Sequence, residues 1–320
     1  LQAINNKGMT MTAHDGGKQA VSKSTASVHA GRRRSGQGVV NPIDPSSAFM
    51  QLDQSEPTYP RYYNTPNQEI VVDKLCALEN AQAGLVFGSG MAAISTTLTA
   101  LLRPGDHMII QDSVYGGTRA LVSSEFDRLG VDFTFVNAET APWSDQIRES
   151  TRLIYCETPN NPLLEVVDLA QIAELGRQRG IRTVVDNTFA SPINQNPTDH
   201  GIDVVLHSGT KYLGGHSDLS FGVALGDEAT VAMIREKAKH YGGNTNALTC
   251  YLMERSLKTL AVRVEAQSRN ALAIAEYLAG HATINKVNYP GLASHPGHAT
   301  AAKQMSGFGG MLSIELSGTD

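Results

Sequence analysis

Short apolar runs alternate with amphipathic stretches along most of this chain. Leu85-Val86-Phe87, His107 to Ile110, Val131 to Val136, Leu153 to Cys156, Thr183-Val184-Val185 and Val204-Val205-Leu206 each have the length and apolar content of a buried strand. Helical patterns lie between them. Thr65-Pro66 pairs an N-cap with proline at the first helical position, and Val71, Leu75 and Leu78 then recur at helical spacing. Met91 to Leu102 reads as a helix that Arg103-Pro104-Gly105 stops, and Asp168 to Arg179 as another. The alternation predicts an α/β fold with a mostly parallel sheet and helices on both faces.

The two ends of the chain follow other patterns. Residues 1–40 are rich in Gly, Ser, Lys and Arg and lack periodicity, and Asn41-Pro42-Ile43-Asp44-Pro45 and Glu56-Pro57-Thr58-Tyr59-Pro60 continue them as irregular chain. This predicts an extended arm, over residues 1–62, that lies on another surface such as a second subunit. A large domain is expected over 63–255. Glu254 to Ala279 is amphipathic, with Leu257, Leu260, Val264, Leu272 and Leu278 apolar, and is expected to bridge to a smaller C-terminal domain over 256–320. Strands are expected there at Lys286 to Tyr289 and Met311 to Leu316.

Composition narrows the function classes. The 320 residues are 41% hydrophobic and 18% charged, enough apolar content for a sizeable core. A net charge of -5 gives no reason to expect nucleic acid or an anionic membrane as partner. The basic run Arg32-Arg33-Arg34 reads as a solvated or interface face. No apolar run approaches transmembrane length, and the polar N-terminus lacks the apolar core of a signal peptide. The three cysteines, Cys76, Cys156 and Cys250, and the histidines His200, His207 and His216 lack metal-ligand spacing. Buried free thiols in a reducing, cytoplasmic compartment are the expectation.

Candidate chemistry clusters where the predicted strands end, the place where open α/β sheets bind ligands. Ser208-Gly-Thr-Lys-Tyr-Leu-Gly-Gly-His-Ser-Asp218 sets Lys211 beside two hydroxyls, Ser208 and Thr210. A lysine so placed suits an aldehyde cofactor that also carries a phosphate: the amine forms a Schiff base and the hydroxyls hold phosphate oxygens. Asp186, closing the Thr183 strand, suits a pyridine nitrogen that must stay protonated for its ring to act as an electron sink. Phe87-Gly88-Ser89-Gly90-Met91 is a strand, a glycine turn and a helix N-terminus, hence an anion site. It has neither the Gly-Lys-Ser/Thr of a Walker loop nor the third glycine of a dinucleotide fingerprint. Tyr115, in Asp112-Ser-Val-Tyr-Gly-Gly-Thr118, offers a ring to stack on a planar cofactor. Glu157-Thr-Pro-Asn-Asn-Pro162 offers amides for a ring hydroxyl or a substrate carboxylate, and Arg61, after Tyr59-Pro60, is a bidentate partner for phosphate. Each piece alone also reads as an ordinary turn or surface side chain.

Taken in order, these motifs resemble the Cys/Met-metabolism family of pyridoxal-phosphate enzymes, which includes cystathionine γ-synthase, γ-lyase and β-lyase, methionine γ-lyase and O-acetylhomoserine sulfhydrylase. Ser-Gly-Met-Ala-Ala-Ile, Val-Tyr-Gly-Gly-Thr, Glu-Thr-Pro-Asn-Asn-Pro, Val-Asp-Asn-Thr-Phe and the Lys211 stretch carry the likeness, which runs from about Tyr59 onward. The resemblance implies an aspartate-aminotransferase-like fold (PLP type I), pyridoxal 5'-phosphate (PLP) as cofactor, and a small amino acid as substrate. It also implies a homotetramer, a dimer of dimers with sites shared between subunits. In this family's pattern Lys211 is the Schiff-base lysine and proton shuttle, Asp186 pairs with the pyridine nitrogen, and Tyr115 stacks on the ring and takes part in proton transfer. Gly90, Met91, Ser208 and Thr210 hold the phosphate, Tyr59 and Arg61 reach the phosphate of the neighbouring subunit, Asn161 contacts the ring oxygen or the substrate carboxylate, and Thr188 lines the ring.

Two stretches depart from the family's pattern. Tyr59-Pro-Arg-Tyr-Tyr-Asn-Thr-Pro66 replaces the usual Tyr-x-Arg-x-Gly-Asn-Pro-Thr while keeping Tyr and Arg. The family's later Ser-Leu-Gly segment and substrate-gripping arginine are absent from this sequence, so either it is a fragment or the substrate clamp is built differently, and the C-terminal domain is expected to be incomplete. Gly117 stands where methionine γ-lyases carry cysteine, which weighs against that activity. The resulting expectation is elimination at the γ (or β) carbon of a sulfur-containing or related amino acid, as in cystathionine γ-lyase. The alternatives are γ-replacement, β-lyase chemistry or a catalytically weak homologue.

Overall fold

All six of the apolar runs form strands, and a seventh strand joins them. In the computed structural model, which describes residues 21–31, 38–50, 56–137 and 142–318, β1 is Ala83–Phe87, β2 His107–Gln111, β3 Asp132–Val136, β4 Thr151–Glu157, β5 Arg182–Asp186 and β6 Val204–Ser208. The addition is β7, Gly222–Gly226. The sheet order is β1-β7-β6-β5-β4-β2-β3, and β7 alone runs antiparallel to its neighbours. Gly222 and Gly226 bracket an apolar run buried on both faces, so β7 lacks the alternation that marks a half-exposed strand.

Successive residues of each strand point to opposite faces, and the core divides accordingly. Leu85, Phe87, Met108, Ile110, Val204 and Leu206 share one cluster. Val86, Val205 and Val223 face a second, and Ile109, Ile154 and Val185 a third, on the other side. Helices cover both faces, as the pattern predicts. They are α1 (Lys23–His29), α2 (Pro66–Glu79), α3 (Gly90–Leu101), α4 (Gly116–Leu121), α5 (Leu169–Arg179), α6 (Ser191–Asn194), α7 (Glu228–Tyr241), α8 (Ala247–Leu257), α9 (Leu260–Ala279) and α10 (His298–Gln304). Strands β8 (Ile284–Asn288) and β9 (Ser313–Leu316) form a separate antiparallel pair. Among the described residues no helix is long and apolar enough to cross a membrane.

Two expectations need correction. The arm is not extended throughout: Ser22 caps α1 by accepting from Thr25 N at 3.2 Å, and Ala26 and Ser27 are buried. Lys74 of α2 donates to the Ser27 and Val28 carbonyls at 3.0 and 3.3 Å, so α1 is pinned to the body of its own chain. A seven-residue helix is too short for periodicity to show, and tertiary contacts decide it. The segment from Glu254 to Ala279 is two helices, because the chain turns at Lys258-Thr259. The Ser256 carbonyl at the break accepts from the Thr259 hydroxyl at 3.1 Å and from Arg263 Nη2 at 3.0 Å. The basic run Arg32-Arg33-Arg34 and residues 1–20 of the expected arm lie outside the described residues.

Candidate active site

The C-terminal ends of β1, β4, β5 and β6 open into one cavity of about 900 Å³. Each element delivers a polar group there for a local reason. Ser89 leaves β1 in extended conformation and caps α3, its hydroxyl accepting from Ala92 N at 3.1 Å. That leaves the amides of Gly90 and Met91 at a helix N-terminus, where the backbone dipoles favour an anion. Gly90 is required by close approach: a Cβ there would lie 2.9 Å from the Ser208 Cβ. The Ser208 hydroxyl, at the end of β6, therefore comes up against this N-terminus.

Thr188 joins β5 to β6. Its N–H donates to Asp186 Oδ1 at 2.9 Å, and its hydroxyl oxygen accepts from Ser208 N at 2.8 Å. The Lys211 turn is fixed by its backbone. Lys211 N donates to the Ser208 carbonyl at 3.1 Å, and Gly215 N to the Lys211 carbonyl at 2.7 Å. Thr210 is locked to β7, its hydroxyl oxygen accepting from Phe221 N at 3.1 Å. Arg263 of α9 donates to the Tyr212 carbonyl at 2.8 Å and to the Leu213 carbonyl at 3.3 Å, so the long helix grips the residues that follow the lysine. On the other wall, Asn160 Nδ2 donates to the Ser113 carbonyl at 3.0 Å and to Glu165 Oε2 at 2.6 Å, which anchors the loop that carries Asn161.

Nine of the expected residues thus line one cavity: Gly90, Met91, Tyr115, Asn161, Asp186, Thr188, Ser208, Thr210 and Lys211. Tyr59 and Arg61 do not. They sit in the exposed turn at the end of the arm, where Arg61 donates to the Lys239 carbonyl and lies over the Tyr59 and Tyr62 rings at 5.6 and 5.3 Å. The cavity also has walls that sequence reasoning did not assign, including Glu157, Tyr212, Gln267 and Met311. Glu157 had a usable signal, since it ends β4 as Asp186 ends β5. Gln267 is one polar position of an amphipathic helix and has none.

The two strand-end carboxyls carry the electrostatics. Burial pushes Asp186 above the ordinary carboxylate range, against the opposing hydrogen bonds from Thr188 and the His207 charge. Burial, then the Asp186 charge, push Glu157 up to about 8. A cation set against Asp186 would reverse its shift, and the protonated nitrogen of a pyridine ring is such a cation. Behind the strands, buried Glu79 accepts from Asn187 and Asn196 at 2.9 Å each, and its Oε1 lies 2.6 Å from His207 Nε2. This network holds the residues next to Asp186 and Ser208 in place.

An amine, a counter-ion for a ring nitrogen, a ring to stack and an N-terminal anion cradle define the site of a PLP-dependent enzyme of the type I fold, and the residues present fit that cofactor. The profile of the family described as "Cys/Met metabolism PLP-dependent enzyme" matches residues 24–320, and the chain belongs to that family. It is 44% identical over 312 residues to the cystathionine gamma-synthase of Mycobacterium tuberculosis, covering 94% of this chain and 79% of that protein. It is 39% identical over 317 residues to the cystathionine beta-lyase of Coxiella burnetii, covering 96% of this chain and 80% of that protein. The solved cystathionine gamma-lyase of Lactobacillus plantarum, complexed with L-serine, superposes with a TM-score of 0.89 at 36% identity, over 93% of this chain and 79% of that one.

Proposed function

We propose that this enzyme breaks the bond at the γ carbon of a thioether amino acid, with cystathionine as the substrate class and elimination as the reaction. One observation carries the reading: Lys211 and Asp186, borne by neighbouring strand ends, line a single cavity together with the Gly90 N-terminus. The relatives' names support the substrate class, since synthase, β-lyase and γ-lyase all make or cleave cystathionine.

PLP, when bound, supplies an electron sink that acidifies the substrate's α carbon. The chain's residues do the rest. Lys211 would hold the cofactor through its amine, and the same amine, when free, would remove the substrate's α proton and carry it onward, with the Tyr115 hydroxyl assisting the transfer. Asp186 keeps a proton on the ring nitrogen. The Gly90 and Met91 amides, with the Ser208 and Thr210 hydroxyls, hold the phosphate. Thr188 lines the ring, and Asn161 donates to the ring oxygen or the substrate carboxylate. Tyr59 and Arg61, exposed and outside their own chain's cavity, reach the phosphate in a neighbouring subunit, within a cytoplasmic homotetramer built as a dimer of dimers.

Products separate the readings. Incubation with L-cystathionine and water should yield cysteine, 2-oxobutanoate and ammonia. Homocysteine, pyruvate and ammonia in their place would move the cleavage to the β carbon. The second reading is γ-replacement, the activity in the mycobacterial relative's name: an O-acylhomoserine and cysteine would then give cystathionine and the free acid faster than cystathionine is cleaved.

A further inference from the structure

Among the described residues, Glu157 is the one carboxyl in the cavity wall that the reaction outlined above does not use. It stands directly across from Asp186, the two paired in parallel register at the ends of β4 and β5, and both are buried. A single ring nitrogen needs a single counter-ion, which Asp186 supplies. The side chain of Glu157 is otherwise engaged: Oε2 accepts from the backbone N–H of Tyr115 at 2.9 Å, and Oε1 accepts from the Tyr155 hydroxyl at 3.3 Å. Its own N–H donates to Gln111 Oε1 at 2.9 Å, which ties β4 to the end of β2.

Tyr115 needs such an anchor. It is the residue before α4, with φ -46, ψ 134 and no side-chain cap, and it is 48% exposed. Its N–H lies outside the helix ladder, and the bond to Glu157 ties this backbone to the sheet. We infer that Glu157 is a positioning residue, which fixes the Tyr115 backbone so that the Tyr115 ring holds its place over the cofactor. The inference rests on the cofactor reading above. It requires Glu157 to offer one acceptor to Tyr115 and one hydrogen-bonding group to Tyr155. A neutral carboxyl does this, and burial of Glu157, then the Asp186 charge beside it, favour the neutral form. Other titratable groups around the pair are the Tyr155 phenol on β4, Lys211 across the cavity and His207 on β6.

The test compares the PLP-loaded wild-type protein with the Glu157→Gln and Glu157→Leu variants. Glutamine keeps an oxygen acceptor for the Tyr115 N–H and sets an N–H against the Tyr155 oxygen, reversing that second bond; leucine offers neither. The first readout is circular dichroism in the visible band per bound cofactor, which reports how rigidly the ring is held. The second is kcat and KM measured separately. The expected result for Glu157→Leu is a loss of about half the visible dichroism and about tenfold in kcat, with KM within about twofold. Glu157→Gln should retain clearly more of both. Wild-type dichroism and kcat in Glu157→Leu, or equal losses in the two variants, would overturn the inference. If Glu157→Leu does not fold, hydrogen exchange decides: the Tyr115 amide should be protected in the wild type, and exchange at the rate of an open loop would overturn the inference. A wild-type protein with no visible band on PLP addition would instead defeat the cofactor reading itself, and the inference with it.

Discussion

A Cβ placed on Gly117 would come within 2.6 Å of Cε1 of Tyr115 and 3.0 Å of the Met91 sulfur. The Tyr115 ring therefore rests on Gly117 in the first turn of α4, and the absence of a side chain at 117 is part of the site's shape. Gly117→Ala should leave the melting temperature within a few degrees of wild type, because the half-exposed ring can swing outward at an order-of-magnitude cost below 1 kcal/mol. Activity should fall by roughly tenfold in kcat/KM, since the displaced ring no longer packs on the cofactor. Unchanged kcat/KM would show that the ring's present position is not the working one.

Asp186 should dominate cofactor affinity. Asp186→Asn keeps the size and the bond with Thr188 but removes the charge that holds a proton on the ring nitrogen. A charge-assisted hydrogen bond in a buried site is worth roughly 2–3 kcal/mol. Titration of cofactor-free protein with PLP should therefore give a dissociation constant about a hundredfold weaker. A variant that binds as tightly as wild type would remove Asp186 from its assigned role.

The pH dependence of stability follows from Glu157. In the unfolded chain its carboxyl titrates near 4.5; in the fold, burial and then the Asp186 charge push it up to about 8. Between those values the folded state keeps a proton that the unfolded state has released, so stability drops as pH rises through the window and levels off above about 8. Burial raises Asp186 too, which acts in the same direction. In cofactor-free protein melted between pH 5.5 and 8.5, the gap between Glu157→Gln and wild type should widen in favour of the variant toward alkaline pH. A gap that stays constant would mean that Glu157 is ionised across the whole range.

Glu79 lies outside the cavity lining and should matter first to stability. Glu79→Ala leaves His207, Asn187 and Asn196 facing a buried space that the carboxylate filled. Leaving a buried hydrogen-bonding group without its partner costs about 1–3 kcal/mol, to be read as a lower urea midpoint in cofactor-free protein. A loss below about 1 kcal/mol would show that water or neighbouring groups replace the carboxylate.

Much of this architecture is legible in the residues themselves, for physical reasons. The inner strands β2, β4, β5 and β6 announce themselves because a buried strand needs an unbroken apolar run, and the polar residues Asp186, Ser208 and Lys211 at or just beyond the strand ends stand out against those runs. Strand β7 is silent because glycines at both of its ends remove the side chains a pattern needs. The break at Lys258-Thr259 is silent because it interrupts the backbone without interrupting the apolar stripe. Gln267 enters the cavity through tertiary packing that no local signal encodes. The exposed placement of Tyr59 and Arg61 follows from the turn that carries them, and their expected partner is a phosphate outside their own chain.

Borohydride reduction of the PLP-loaded protein, followed by peptide mass mapping, bears most directly on the central assignment. The account predicts a visible absorbance band that reduction abolishes, with the reduced cofactor's mass fixed on the peptide that holds Lys211 and absent from Lys211→Ala. Label on a different lysine, or a band and a reducible adduct that survive in Lys211→Ala, would contradict it.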